Sequence, residues 1–359
     1  LEAVTVEKMK TLNLYYQCNN NFVYALATSI VSLLVHASEC IQYDIYILTP
    51  DITKENQDKI CGMLADYPKV HCKIVFMDAS PLEEEIRSWN VPAHRFAYVT
   101  YYKLLLDHYF QGTDVHRIMT VGADTLIMGD LAELVDFNFQ GNPIAMNWSE
   151  KLYERRFRRD MKYCIAEMVY FDLDAWRAGK CEERVINRLK KYGDIHGSKD
   201  QGLLNMEFQN EITQLPLKYN VYGITCNFSL RGKMLFNNAP VITKEEVVNA
   251  YAHPEIIHLP ATFLYRPHEE GTLHPMKDLW WEYCRKTPWK DMKPLPVLAE
   301  LGAKEKFLRA VYTHSPSWFA EWFFVVCRHG YGWMNSVRFP YQEHYSKPMK
   351  QIYTDGRQQ

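Results

Sequence analysis

The segment Met119–Leu131 reads MTVGADTLIMGDL, an apolar run that ends on a carboxylate, Asp124, and then turns. In open α/β sheets ligands gather beyond the carboxyl ends of the strands, so an acid placed there faces a binding crevice. Two acids one residue apart around such a turn can face one divalent ion, and such an ion can neutralise negative charge on a ligand. Here the residue two before Asp124 is Gly122, so the pair is half missing. Taken alone, Asp124 reads more readily as a turn-forming aspartate than as a ligand.

The elements around that turn alternate. LNLYYQC (12–18), YDIYILT (43–49), KVHCKIVFM (69–77) and HRIMTV (116–121) read as buried strands. Between them FVYALATSIVSLLVH (22–36), residues 52–67, 81–89 and 98–110 carry helical apolar spacing. This rhythm predicts a mostly parallel sheet covered by helices. Further on, EMVYFDL (167–173) predicts a strand, 174–192 one long helix, DQGLLNMEF (200–208) a short helix, 243–253 a helix and EIIHLP (255–260) a strand. The aromatic tail beyond residue 270 reads as helical, which suggests an α/β domain over 1–270 and a helical extension over 271–359.

Composition narrows the function classes. The 359 residues are 47% apolar and 23% charged, which is globular and affords a sizeable core. A formal net charge of −2 argues against a general nucleic-acid binder. Aromatics at 14% fit either a binding cleft or simply an aromatic core. Nine cysteines form no CxxC pair, so neither a zinc site nor a dithiol redox site is supported, and the expectation is a reducing, cytoplasmic setting. No signal peptide is expected from the first residues of this sequence, and the apolar run WFAEWFFVVC from Trp318 is too short to span a bilayer. Most of the thirteen histidines are isolated and read as structural.

Two charged stretches stay open. EKLYERRFRRDMK (150–162) is either a solvated helix face or a patch that meets an anionic acceptor or a membrane. The tail, with Lys304, Lys306, Arg309 and Arg328 among aromatics, either packs on the α/β domain or serves peripheral attachment to the inner membrane face or a protein partner.

LLLDHYFQGTDVHRIMTVGADTLIMGDLAELVDF (104–137) resembles the segment around the DxD motif of glycosyltransferase family 8, which includes bacterial lipopolysaccharide hexosyltransferases and glycogenin. The likeness continues in order through CNNNFVYALATSIVSLL, YVTYYKLLL, YCIAEMVYFDLDAWR, DQGLLN, LPLKYN, IIHLPATFLYRPH and HPMKDLWWEYCRKTPW, over roughly residues 12–289. The resemblance implies a GT-A fold, Rossmann-like around a mostly parallel sheet. It implies a UDP-sugar donor, Mn²⁺ or Mg²⁺, a glycan or lipid-linked acceptor and retention of anomeric configuration.

Carried over residue by residue, the family's ion ligands fall on Gly122, Asp124 and His258. Donor contacts fall on Asn19, Asn20, Lys103, Ala123, Asp124 and Arg266, and Asp200 with Gln201 would face the anomeric carbon. The departures share a direction. The first DxD acid is Gly122, the acid pair after the first strand is Asn19 and Asn20, and the family's Asn-Ala-Gly is Ile165, Ala166 and Glu167. Gly202, Ala261 and His268 replace the third residue of DQDxLN, the Gly of HxxG and the terminal Trp of KPW. Either Glu167 swings in as a replacement carboxylate in a working enzyme with an altered ion site, or the chain is a pseudoenzyme that binds or scaffolds an active transferase.

Overall fold

The computed structural model describes residues 9–89, 91, 98–148, 163–192, 199–237, 242–297 and 300–338. The basic run 150–162 lies outside them.

The strands are β1 (Thr11–Gln17), β2 (Gln42–Thr49), β3 (Cys72–Asp78), β4 (Arg117–Thr120), β5 (Thr125–Ile127), β6 (Ile144–Trp148), β7 (Cys164–Asp172), β8 (Ile212–Gln214), β9 (Val221–Tyr222) and β10 (Ile256–His258). The α-helices are α1 (Val23–His36), α2 (Lys54–Gly62), α3 (Ser80–Ser88), α4 (Leu106–Phe110), α5 (Leu173–Ala178) and α6 (Cys181–Tyr192). They continue with α7 (Lys199–Glu207), α8 (Leu230–Phe236), α9 (Lys244–Ala252), α10 (Lys277–Cys284), α11 (Ala303–His314) and α12 (Ser317–Arg338).

A seven-stranded sheet runs β3-β2-β1-β4-β7-β6-β8, and a smaller one runs β5-β10-β9. β1, β2, β3 and β4 are parallel, with β1 and β2 paired from Thr11↔Gln42 to Gln17↔Leu48. Alternation along β1 sends Leu14 and Tyr16 into the core beneath α1 and α10, and Tyr15 into a second core on the opposite face with α3, α5 and α6. Covering both faces is what a parallel sheet requires, and it explains the near-continuous apolar strands.

The second half departs from a plain βαβ count. β7 lies antiparallel between β4 and β6, and its register against β6 shifts between Met146 and Asn147. The long helix expected over 174–192 is two, α5 and α6, because Lys180 takes a positive φ of 48° after Gly179 and stops the first. Residues 98–110 are not one α-helix. Val99–Leu105 is 3₁₀ and only Leu106–Phe110 is α. Short strands β5, β8 and β9 are too brief for a periodicity signal.

A third apolar cluster joins Tyr222, Phe228, Phe236 and Phe263 to Phe324 and Val325 of α12. Contacts therefore cross residue 270 in both directions. No described helix is long and apolar enough to cross a membrane.

Candidate functional site

The turn between β4 and β5 is fixed from below by a chain of buried hydroxyls. Tyr16 Oη meets Ser29 Oγ at 3.1 Å, Ser29 Oγ meets Thr125 Oγ1 at 3.0 Å, and Thr125 Oγ1 donates to the Gly122 carbonyl at 2.8 Å. These hydroxyls from β1, α1 and β5 hold the acid-bearing turn in one shape, because buried hydroxyls must find partners. β10 then runs antiparallel to β5 with His258 opposite Thr125, and Leu259 N donates to the Asp124 carbonyl at 2.8 Å. The small sheet thus brings His258 beside Asp124 across 134 positions of chain (258 − 124).

Glu167 comes from the other direction, on β7 where its register with β6 breaks. Bulged strands re-aim side chains, and this one is aimed at the turn. A β-carbon built on Gly122 would overlap Glu167 Oε1 and stand 3.2 Å from Asp124 Oδ1. The glycine in the motif and the glutamate in the strand therefore share one volume. Glu167 Oε2 lies 3.8 Å and Asp124 Oδ1 4.0 Å from His258 Nε2, and the ligand atoms of the three residues all fall within 4.8 Å of one another. Oxygen ligands stand about 2.0–2.6 Å from such cations, so ligands of one ion lie at most about 5 Å apart. The donor set of two carboxylates and an imidazole fits a divalent ion by that measure.

Electrostatics divides the two acids. Burial pushes Asp124 up, but His258 and Arg266 outweigh it and its carboxyl sits below the usual range. Burial pushes Glu167 up, and neither His258 nor Lys103 reverses it while Asp124 and Asp200 add to it. Two acids at one site with a shared base behave in this way. Arg266 Nη2 donates to Asp124 Oδ2 at 3.2 Å, which leaves Oδ1 toward His258. The Arg266 guanidinium also lies over the Phe22 ring, 4.9 Å from its centroid, and its Nε is buried with no hydrogen-bond partner.

A second charged pair lies next to this corner. Asp200, at the start of α7, accepts from Lys103 Nζ at 2.9 Å and from Thr100 Oγ1 at 2.7 Å. Lys103 and Asp200 are both buried, and Lys103 Nζ also donates to the Ala166 carbonyl at 2.6 Å. Ala166 N donates to Gln201 Oε1 at 3.3 Å, and Gln201 Nε2 donates to Tyr163 Oη at 2.8 Å. The two pairs are thus joined through residues 166 and 167 of β7. A cavity of about 140 Å³ opens between them, lined by Gln17, Lys103, Gly122, Glu167, Asp200 and Gln201 among others.

Asn19 and Asn20 follow β1 and lead into α1. Asn20 Oδ1 accepts from Asn56 Nδ2 at 2.8 Å and from Thr53 N at 3.3 Å, and Asn20 N donates to Asp51 Oδ1 at 2.7 Å. The amide side chain is engaged by the start of α2, so an acid does stand nearby but on Asp51. Asn19 N-caps a short 3₁₀ turn without a side-chain bond. Ala123 is buried in the turn and presents only backbone. His268 is buried, bonds Tyr24 Oη through Nε2 at 3.2 Å, and is held down to about 3 by burial and Arg266. Buried His274 is likewise held to about 3, by burial and His258.

Sequence reasoning missed Thr100, Tyr163 and Gln17. Thr100 stands three residues before Lys103, a spacing that puts both on one side of a helical turn and could have flagged it. Tyr163 and Gln17 carried no such signal.

The profile of glycosyl transferase family 8 matches residues 13–258. The chain is 22% identical over 320 residues to a lipopolysaccharide 1,2-glucosyltransferase of Escherichia coli, covering 86% of this chain and 88% of the relative. It is 22% identical over 330 residues to a lipopolysaccharide 1,3-galactosyltransferase of Salmonella typhimurium, covering 87% and 90%. Among solved structures it superposes on the galactosyltransferase LgtC in complex with donor and acceptor sugar analogues at a TM-score of 0.63, 13% identity, covering 82% of this chain and 99% of that one. The bifunctional glycosyltransferase WbbM aligns at a TM-score of 0.61 and 19% identity, over 79% of this chain and 51% of that one. The architecture is thus GT-A, with its mostly parallel central sheet, and this chain belongs to glycosyl transferase family 8.

Proposed function

We propose that the protein transfers a hexose from a UDP-sugar to a glycan or lipid-linked acceptor, with retention of configuration, at the cleft between Asp124 and Asp200. One observation carries this reading. The carboxylate absent from position 122 is present in space, supplied by Glu167 within 4.8 Å of the Asp124 and His258 ligand atoms. A chain that had merely kept its fold would have no reason to hold two carboxylates and an imidazole together at the sheet's carboxyl rim, where like charges repel. That weighs against a pseudoenzyme. The lipopolysaccharide transferases among the relatives support a cell-envelope glycan as acceptor.

Asp124, Glu167 and His258 would hold Mn²⁺ or Mg²⁺. Such an ion, when bound, offsets negative charge on the diphosphate as it leaves. The chain's own residues do the rest. Arg266, whose guanidinium reaches Asp124, offers positive charge to phosphate oxygens. Asp200, held by Lys103 and Thr100, is a fixed carboxylate for the positive charge that develops at the anomeric carbon. A group already oriented needs no reorganisation in the transition state. Gln201 is anchored at both ends, so its amide dipole is fixed as well.

Calorimetric titration of UDP and Mn²⁺ tests the reading. Binding of UDP that strengthens with Mn²⁺ is expected, followed by turnover of a UDP-hexose. A flat trace for both ligands overturns it.

A further inference from the structure

We infer that Arg309, on α11 of the C-terminal hairpin, is a positioning residue that holds the Arg266 loop in the shape that brings Arg266 to Asp124. The inference rests on the nucleotide-sugar reading only for the meaning of Arg266, and its test has an arm that does not.

The loop leaves β10 and returns toward α10 between Thr262 and Leu273. Its neck is closed by Leu273 N donating to the Leu264 carbonyl at 2.9 Å and Thr272 Oγ1 donating to the same oxygen at 3.1 Å. At its tip Arg266 N donates to Glu269 Oε2 at 2.6 Å, and Glu269 N returns to the Arg266 carbonyl at 3.0 Å. The residue just before Arg266 is Tyr265, with φ of 65°. That left-handed conformation is unfavourable for an aromatic residue with a β-carbon. The direction in which Arg266 leaves the loop therefore depends on a backbone state the chain does not choose by itself, and something outside must hold it.

Arg309 is placed to do so. Its Nη1 donates to the Phe263 carbonyl at 2.9 Å and its Nη2 donates to the Gly271 carbonyl, so one planar fork spans both limbs of the loop. Its guanidinium also covers the Tyr265 ring, 4.6 Å from the centroid. Arginine suits this task because its donors sit in a rigid plane that both bonds carbonyls and stacks on a ring. Among the described residues no carboxylate pairs with Arg309, so its hydrogen bonds go to this loop.

The hairpin that carries Arg309 is anchored by other contacts. Glu321 of α12 accepts from Ser229 N at 2.8 Å and Ser229 Oγ at 2.5 Å, at the N-terminus of α8. Phe263 packs edge-on against Tyr312 and at a tilt against Phe324, with centroids 5.9 and 5.8 Å apart. Removing the Arg309 fork therefore leaves α11 and α12 seated, and the loop alone loses its clamp. The donor site then draws on a segment about forty residues beyond the one that carries Arg266 (309 − 266 = 43).

The test compares Arg309→Ala, Arg309→Lys and the exposed neighbour Lys306→Ala by hydrogen–deuterium exchange and by calorimetry with UDP and Mn²⁺. In Arg309→Ala the amides of residues 264–272 are expected to exchange at least about tenfold faster while those of β1 and β4 keep their rates, since two charge-assisted bonds to the loop are gone. UDP affinity falls about tenfold, and no further when Arg266→Ala is added to Arg309→Ala than in Arg266→Ala alone, because coupled residues act as one. Lysine, a point charge that reaches one carbonyl at a time, gives an intermediate result. Lys306→Ala matches the wild type. Unchanged loop exchange in Arg309→Ala, acceleration spread through the whole sheet, or additive losses with Arg266→Ala would each overturn the inference. If the wild type gives no heat with UDP, the nucleotide-sugar reading fails, and the exchange arm still decides whether Arg309 holds the loop.

Discussion

The two ends of the cleft have lost family acids in different ways. At the ion corner the acid missing from position 122 has its charge returned by Glu167, in the same volume, from another strand. At the proposed nucleoside end Asn19 and Asn20 stand where the family has an acid pair, and Asn20 has turned its amide oxygen to Thr53 and Asn56 of the protein. A motif records where an atom comes from in the chain, whereas binding depends on where the atom is. One end kept the atom and changed its source, and the other let the side chain take up structural bonds instead.

That contrast breaks outright if the cleft between its ends is idle. Asp200→Asn keeps the shape and removes the charge proposed to face the sugar, so turnover of the UDP-hexose is expected to fall about 10²–10³-fold while calorimetric UDP affinity holds. Wild-type turnover in that variant would remove Asp200 from the chemistry. The next effect bears on the ion corner itself. Glu167→Gly is expected to weaken Mn²⁺ binding at least about 100-fold, since a hard-cation site has lost one of three protein ligands. Adding Gly122→Asp to that variant puts the acid back where the family has it, and most of the affinity should return. Unaltered Mn²⁺ titrations in Glu167→Gly would end the idea of exchange.

Two buried histidines lie beside the Asp124 corner, and their pH response is shared. His268 bonds Tyr24 and neighbours Arg266, and His274 neighbours His258. Both have folded-state values lowered from 6.5 to about 3, so between those values the unfolded chain takes up protons that the folded chain refuses. Stability is therefore present above pH 6.5 and declines as pH falls through that window, by at most about 1.4 kcal/mol per pH unit for each histidine. Urea denaturation across this range should show a shallower decline in His268→Gln or His274→Gln, and an unchanged slope would refute their neutral burial. The smallest effect is expected from Asn20→Asp, which restores a family acid without a role for it. Its carboxylate would still accept from Asn56 Nδ2 and Thr53 N but would add a negative charge near Asp51, so UDP affinity should shift by no more than about threefold and stability by about 1 kcal/mol. A gain of ten-fold or more in UDP affinity would mean that the nucleoside end had been awaiting its acid.

Much of this was legible before any coordinates. The apolar runs at β1, β2, β3 and β4 and the amphipathic spacing of α1 report burial on one or both faces, which is a local property of sequence. Asp124, His258, Asp200 and Lys103 could be picked out because each sits at a strand end or in a recognisable segment. The break between α5 and α6 was not visible, since Lys180 gives no warning of a positive φ. The 3₁₀ stretch Val99–Leu105 has the same apolar spacing as an α-helix and differs only in hydrogen bonding.

What the sequence by itself determined is the apolar strands β1 to β4 and β7, the main helices and the carboxylates they carry, because periodicity and turn chemistry act between neighbours in the chain. Only the tertiary structure decided that Glu167 fills the space above Gly122, that Asn20 faces α2, and that Arg309 grips the loop of Arg266. Each of those facts depends on which elements lie side by side and on a register shift in β7. Nothing in a residue's own neighbourhood encodes such a distance, because it is set by packing the whole sheet and its helices at once.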